Sequence, residues 1–195
     1  MTTTTAPVLA TRILPKSRVA TVVAVVGFAA LTALAAQVSF RIPPIEVPFT
    51  LQTAAVLLAG GTLGSKAGAA SQMLYVLAGS IGLPVYAEQS SGVDVLTGPT
   101  GGYLVGFVIA SYLVGTLAER RHDRQILSGF AAFLLGSLVI YAFGVIGLIV
   151  NLGLDLPGAI AGGVVPFVFW DIIKALGAGL LMLAAWKLVG EPGAR

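Results

Sequence analysis

Two opposite charges stand close together in the last apolar segment of the chain. Asp171 and Lys174 are three residues apart inside the run 162–189. Because a helical turn takes about 3.6 residues, this spacing places both side chains on one face of a helix. A charge at bilayer depth costs roughly 2.5–3.5 kcal/mol, so this face should turn inwards, towards a partner or a wet cavity. The pair predicts a binding site for a polar ligand, with a structural intrahelical ion pair as the alternative.

The rest of the chain has the composition of a membrane protein. Of its 195 residues, 57% are hydrophobic and 10% are charged, and the mean hydropathy is +0.97. A hydrocarbon core of about 30 Å needs about 20 apolar residues per helix. The sequence therefore predicts an all-α integral membrane protein with six transmembrane helices in residues 19–189, a polar tail 1–18 and a C-terminal tail 190–195. The six predicted spans are 19–40, 49–63, 66–81, 101–118, 126–152 and 162–189.

The second and third of these runs are shorter than the others. They are separated only by Gly64 and Ser65. This arrangement predicts a tight helical hairpin, with one broken helix as the alternative.

The distribution of basic residues orients the helices. With the N-terminus in the cytoplasm, the inner segments hold most of the Lys and Arg residues, namely Arg12, Lys16, Arg18, Lys66, Arg120, Arg121, Arg124, Lys187 and Arg195. The outer connections hold Arg41 together with acidic residues such as Glu88 and Asp155. Because positive charge is retained on the cytoplasmic side, both termini are predicted to be cytoplasmic. The charged pair then lies in the outer half of the last helix, and its site opens to the external face.

Two outer connections carry polar groups of their own. In the first, Pro43, Pro44 and Pro48 forbid regular helix, and Thr50 and Gln52 mark the start of the second span. A polar pair at a helix mouth can orient a ligand or simply cap the helix. The second connection, 82–103, leads into the fourth helix through a Gly-Pro-Thr-Gly-Gly turn. The exposed N–H groups of such a helix start suit an anionic group.

Three stretches of the chain resemble the BioY family. They are VPFTLQTAAVLLAGGTLGSKAGAASQMLYVLAGSIGLPVYA, TGPTGGYLVGFVIASYLVGTLAER and FVFWDIIKALGAGLL, and they follow one another within 47–181. The family comprises biotin-specific substrate-binding (S) components of energy-coupling factor (ECF) transporters. The resemblance implies a six-helix bundle in a prokaryotic plasma membrane with a biotin pocket on the extracellular side. It also implies a transmembrane coupling protein and a pair of ATPase subunits as partners.

The resemblance assigns roles to the candidate site residues. Asp171 would accept hydrogen bonds from the ureido N–H groups of biotin, and Lys174 would donate to the ureido oxygen or to the carboxylate. Tyr86 and Trp170 would form a flat wall for the bicyclic ring, unless they anchor helices at the membrane interface. Gln52 or Thr50 would add a further hydrogen bond.

If transport is driven by ATP, the energy must come from another polypeptide. The chain has no Gly-x-x-x-x-Gly-Lys-Ser/Thr motif, so no nucleotide-binding loop of that kind is predicted. On the first helix, Ala20 and Ala24, or Ala29 and Ala33, are spaced so that another helix can approach closely. The resemblance implies that such an alanine pair meets the coupling protein. The same pairs could instead serve the packing of this chain's own helices.

Composition narrows the remaining classes of function. The chain has no cysteine and a single histidine, so no thiolate chemistry, metal site or cofactor is predicted. Its basic residues fall in short clusters between apolar runs, which argues against a nucleic-acid partner. Alternatives to a biotin-binding transporter subunit are the same architecture serving another vitamin and a proton-coupled carrier that uses Asp171 and Lys174. No set of nucleophile and base is visible, so no enzyme is predicted.

Overall fold

The computed structural model describes residues 6–43 and 45–190. Within these ranges the chain is mostly helical, with one short two-stranded hairpin. The helices are α1 (Ala10–Ile13), α2 (Arg18–Gln37), α3 (Gln52–Leu63), α4 (Ser65–Ser80), α5 (Val93–Leu96), α6 (Gly101–Ala118), α7 (Ile126–Leu152), α8 (Leu156–Gly163) and α9 (Val165–Val189). The strands are β1 (Ser39–Phe40) and β2 (Phe49–Thr50). Parts of both predicted tails (1–5 and 191–195, which include Arg195) and Pro44 lie outside the described residues.

Four of the described helices, α2, α6, α7 and α9, are long and apolar enough to cross a membrane. The chain is therefore a helical multi-pass membrane protein. The other two helices of the bundle, α3 and α4, have 12 and 16 residues. At 1.5 Å per residue they reach roughly 18 and 24 Å, less than a hydrocarbon core of about 30 Å. Both pack against α6, and α3 also contacts α9.

The predicted helical hairpin of α3 and α4 is confirmed. Gly64 alone connects the two helices, and its φ of +85° suits a residue without a side chain. Glu119, from the end of α6, accepts hydrogen bonds from the N–H and the hydroxyl of Ser65, each at 2.7 Å, and so caps α4. A Cβ added at Gly60 would overlap the carbonyl oxygen of Ser111. The backbones of the hairpin and α6 are therefore in direct contact.

The predicted first span, 19–40, was too long at its C-terminal end, and the predicted second span, 49–63, was too long at its N-terminal end. The helix α2 ends at Gln37, and residues 39–40 pair with 49–50 as an antiparallel hairpin. The rings of Phe40 and Phe49 stack at a centroid distance of 5.0 Å. Pro43 and Pro48 have no N–H to donate, so the segment that joins the two strands cannot continue as regular helix. This turn delivers Thr50 to the start of α3.

The predicted sixth span, 162–189, was also wrong at its beginning. Two helices meet there, α8 and α9, with Val164 outside helical geometry between them. Pro166 lacks the N–H that a continuous helix would need, and it lies in the first turn of α9. The hydroxyl of Tyr103 donates to the carbonyl of Gly163 at 2.7 Å and satisfies an oxygen freed by the break.

The buried side chains form two clusters along the bundle. One surrounds a cavity near the starts of α3 and α6 and contains Tyr75, Tyr86, Tyr103, Phe107, Tyr141 and Phe167. The other contains Phe133, Met182 and Trp186. Trp186 donates its indole N–H to Asp123, in the α6–α7 connection, at 2.5 Å. Phe167 is near the start of α9 and lines the cavity, whereas Trp186 is near the end of α9 and contacts the α6–α7 connection. The cavity and this connection therefore lie at opposite ends of the bundle.

Candidate ligand-binding cavity

A cavity opens among α3, α6, α7 and α9, beneath the connection between α2 and α3 and the connection between α4 and α6. The space inside its lining, which includes open solvent at the mouth, is about 700 Å³. Its wall is mostly apolar and aromatic, with a small polar group on one side. The polar residues of that side are Thr50, Gln52, Thr53, Tyr141, Asp171 and Lys174.

Asp171 and Lys174 share one face of α9, as their spacing predicted, and they form an ion pair in this wall. The ammonium group of Lys174 donates to Asp171 Oδ1 at 2.7 Å, to the carbonyl of Thr50 at 2.7 Å and to the hydroxyl of Thr53 at 3.2 Å. The Asp171 side chain is 5% exposed and that of Lys174 14%. Since an ammonium has three protons, every donor of Lys174 already has an acceptor within the protein.

The carboxylate of Asp171 accepts two further hydrogen bonds. Thr53 donates to Oδ1 at 3.0 Å, and Tyr141 donates to Oδ2 at 2.5 Å. A carboxylate offers about four acceptor positions, so a ligand N–H can still be accepted at Oδ2. The sequence interpretation missed both residues. Tyr141 could have been noticed as a phenol in the middle of the 27-residue apolar helix α7, where a polar group needs a partner.

Tyr86 lines the cavity, and its hydroxyl anchors the connection between α4 and α5. It donates to the carbonyl of Val76 at 2.6 Å, and the ring packs so closely on Gly79 that a Cβ there would overlap it. Burial raises the pKa of Tyr86, so the phenol stays protonated and keeps this bond. The ring meets Tyr75 edge to face at 5.6 Å, and the amide of Gln52 donates to the Tyr75 hydroxyl at 2.6 Å.

Thr50 and Gln52 both lie on the cavity wall, but Thr50 has a capping role as well. Its hydroxyl accepts a hydrogen bond from the backbone N–H of Gln52 at 3.2 Å. Its carbonyl oxygen is held by Lys174. The side chain of Thr50 is therefore occupied at the start of α3, whereas Gln52 is anchored by one amide proton and lines the cavity.

The sequence interpretation assigned Trp170 either to the ring wall or to the membrane interface, and the structure shows that Trp170 does not line this cavity. It is 48% exposed, contacts the ring of Phe169 edge to face, and borders a separate groove beside Leu51. Consecutive residues of a helix point about 100° apart, so a neighbour of Asp171 cannot share its face. Phe167 is one turn earlier on the same face and supplies the aromatic wall instead.

The two alanine pairs of α2 have different environments. Ala29 is buried, and Ala33 packs against the cluster around the cavity. Ala20 and Ala24 are only partly covered. In the most apolar stretch of α2, 17% of the residues are buried inside the bundle. The same share is 33–56% in the other three long helices. Ala29 and Ala33 therefore face the bundle of this chain.

A buried ion pair facing an apolar cavity in a helical bundle is typical of a membrane protein that binds a small polar molecule. Comparison with known proteins gives the family. The model of the BioY family matches residues 5–191, and the chain therefore belongs to the BioY family.

Curated relatives and a solved structure agree with this assignment. The chain is 42% identical over 167 residues to the biotin transporter BioY of Thermotoga maritima, covering 84% of this chain and 94% of that protein. It is 41% identical over 154 residues to a probable biotin transporter BioY of Pyrococcus horikoshii, covering 79% and 88%. The crystal structure of the S-component for biotin from an ECF-type ABC transporter has a TM-score of 0.80 at 25% identity, over 90% of this chain and 94% of that one. The fold is that of an ECF S-component.

Proposed function

We propose that this chain is the biotin-binding S component of an ECF transporter and mediates biotin uptake without chemical change to the vitamin. The observation that carries the proposal is the Asp171–Lys174 pair, held in the cavity wall of a BioY-family chain. Biotin combines a hydrogen-bonding ureido ring with an apolar ring edge and a carboxylate tail. The cavity offers a charged corner and an aromatic wall of matching kinds.

The polar corner suits the ureido ring. Asp171 Oδ2 can accept one ring N–H beside the bond from Tyr141. The ureido oxygen needs a donor, and Lys174 must exchange one of its present acceptors to supply it. Its contact with Thr53 is the longest of the three, at 3.2 Å, so we assign the exchange to that bond. Gln52 remains a candidate for a further hydrogen bond.

The aromatic wall suits the fused rings of the vitamin. Phe167, Tyr103 and Tyr86 line the cavity from three different parts of the chain. Tyr86 keeps its predicted place in this wall, and Phe167 and Tyr103 stand where Trp170 was predicted. Aromatic faces of this kind give large apolar contact at fixed positions, which favours a rigid ligand.

The distribution of charge supports a pocket on the extracellular side. The N-terminal segment contacts the α6–α7 side, since Ala6 N–H donates to Glu119 at 2.8 Å and Arg124 donates to Pro7 at 2.7 Å. Basic residues of both segments therefore gather at the end opposite the cavity, which we place in the cytoplasm together with both termini. We further propose that α3 and α4 complete a six-span domain in the plasma membrane of a prokaryote, with the ends of these short helices covered by protein.

The partners in this proposal are a transmembrane coupling protein and its ATPase subunits. The weakly covered surface of α2 supports a contact with another membrane protein. Ala20 and Ala24 are the alanine pair left for such a contact, because Ala29 and Ala33 face the bundle. Small residues allow the closest approach of a second helix.

Binding by the purified chain tests the proposed function. In detergent, radiolabelled biotin should bind with saturation and should be displaced by unlabelled biotin but not by thiamine or riboflavin. Displacement by one of those two vitamins, with no retention of biotin, would reassign the cavity to another substrate of the same architecture. Failure to bind any of the three would contradict the proposal.

A further inference from the structure

An ion pair that the ligand assignments do not use joins two segments that line the cavity. Arg41, which follows β1, lines the cavity, and its Nε donates to Glu88 Oε1 at 2.8 Å. Glu88 belongs to the connection between α4 and α5. The two side chains are 48% and 41% exposed, so the ion pair is in contact with water. The two joined segments are separate in sequence, and residues of each line the cavity.

Residues 85–90, here called the cover segment, are fixed at their two ends. At one end Tyr86 is anchored through its hydroxyl to Val76, and its N–H donates to the carbonyl of Ser90 at 3.1 Å. Just beyond the other end, Gly92 N–H donates to the carbonyl of Gly79 at 2.8 Å. The tip of the cover segment, 87–89, lies between these anchors, and Ala87 lines the cavity.

The tip is held from outside by the end of α2 and the residues after it. Gln37, the last residue of α2, donates to the carbonyl of Tyr86 at 3.1 Å and accepts from Gln89 N–H at 3.2 Å. Arg41 holds the side chain of Glu88. These contacts connect the tip to α2, which is the least buried of the four long helices.

The backbone of the tip is in a conformation that needs outside support. Glu88 and Gln89 have φ angles of 58° and 57°, the left-handed region that residues with a side chain rarely adopt. Such a conformation persists only when surrounding contacts hold it. Loss of the ion pair with Arg41 would therefore favour a different tip conformation.

We propose that the Arg41–Glu88 ion pair is a latch that closes the cover segment over the cavity and limits the rate of ligand exchange. The proposal rests on the proposed function for the identity of the ligand. A latch of this kind acts on access, so it changes the association and dissociation rates together and leaves the dissociation constant nearly unchanged. Because the pair is exposed, its contribution is modest and is screened by salt.

Kinetics of biotin binding to the purified chain test the latch. Glu88→Gln should raise both rate constants about two- to fivefold, the range expected for an exposed ion pair. Glu46→Gln makes the same chemical change in the outer connection that carries Arg41 and should leave both rates unchanged. In about 1 M salt, where charges are screened within about 3 Å, the wild-type rates should approach those of Glu88→Gln. Rates of Glu88→Gln that equal the wild-type rates at low salt would overturn the latch.

A neutral ligand separates the latch from direct recognition of the biotin carboxylate by Arg41. With biotinamide, which has no carboxylate, Glu88→Gln should accelerate exchange by the same factor as with biotin. A Glu88→Gln variant that binds biotin more tightly, with no effect on biotinamide, would show that Glu88 competes with the ligand for Arg41. That outcome would overturn the latch and leave biotin binding by the chain intact.

The movement itself can be measured without any ligand. The chain has no cysteine, so spin labels can be attached only at introduced ones, Ile42→Cys and Gln89→Cys, both at exposed positions. Glu88→Gln, or high salt, should increase the population of long distances between the labels. Such a change in a chain that retained no biotin would support the latch while refuting the proposed function. Unchanged distances in a chain that binds biotin would refute the latch while supporting the proposed function.

Discussion

Replacing Asp171 by Asn removes a negative charge from the cavity wall while keeping the shape of the side chain. Lys174 then loses its anionic partner and keeps the carbonyl of Thr50 and the hydroxyl of Thr53. Tyr141 donates to a neutral amide in place of a carboxylate. A ligand N–H loses a charged acceptor at the same time. Both the folded state and the bound ligand are therefore affected, and the two effects can be measured separately.

The size of each effect follows from the burial of the pair. Removal of one partner from a fully buried ion pair costs about 3–5 kcal/mol. The Lys174 side chain keeps 14% exposure and two hydrogen bonds, so we expect a loss of stability below that range, about 1.5–3 kcal/mol. The lost ligand contact is a charge-assisted hydrogen bond worth about 1.5–3 kcal/mol, which corresponds to a rise in the dissociation constant of about 10- to 150-fold.

Titration calorimetry with biotin and thermal unfolding in the same detergent provide the two measurements. Asp155→Asn is the matched control, since its carboxylate caps α8 by accepting from Gly158 N–H at 2.9 Å and does not line the cavity. Asn is an equally good cap, so this variant should bind and unfold like the wild type. The reasoning is refuted if Asp171→Asn remains folded and binds biotin with an affinity within about threefold of the wild type.

Other substitutions test the packing around the cavity and the surface of α2. Gly79→Ala should lower the unfolding temperature and weaken biotin binding, because its Cβ would overlap the buried ring of Tyr86. Overpacking of this kind costs about 1–3 kcal/mol of stability. Gly27→Ala is the control, since open space surrounds Gly27, and it should change neither quantity. Phe167→Ala should weaken biotin binding in calorimetry at least tenfold, about 1.4 kcal/mol, and Trp170→Ala less than about twofold; the reverse order would refute the assigned wall. Ala20→Leu should impair uptake and assembly with the coupling protein while biotin binding persists, and equal loss of all three would indicate a folding role.

The long helices were predictable because each apolar run ends where the chain meets a charge or a helix breaker. The predicted bounds 101–118 and 126–152 coincide with α6 and α7. The bounds failed where an apolar run continues through a change of structure, at the strand pair after α2 and at the junction of α8 and α9. Hydropathy does not register such a change, and Pro166 was the signal that marked the second one.

The residues of the site also differ in how far the sequence could predict them. Asp171 and Lys174 were predictable because charge within an apolar segment has a cost that only an internal partner or a ligand can offset. Their spacing on one helix was enough to pair them. Tyr86 was predicted to form part of the cavity wall, and the structure adds that its hydroxyl anchors the loop that carries it.

By itself the sequence determined that this is a multi-pass helical membrane protein of the BioY family with an internal charged pair, because apolar length, charge and motif are properties of short stretches of chain. Only the tertiary structure decided which side chains complete the pair. Thr53 and Tyr141 come from helices far apart in sequence, and Trp170 is excluded although it adjoins Asp171. The physical reason is that helix rotation and the crossing of helices set the direction of each side chain, and neither is encoded in the spacing of residues within one segment.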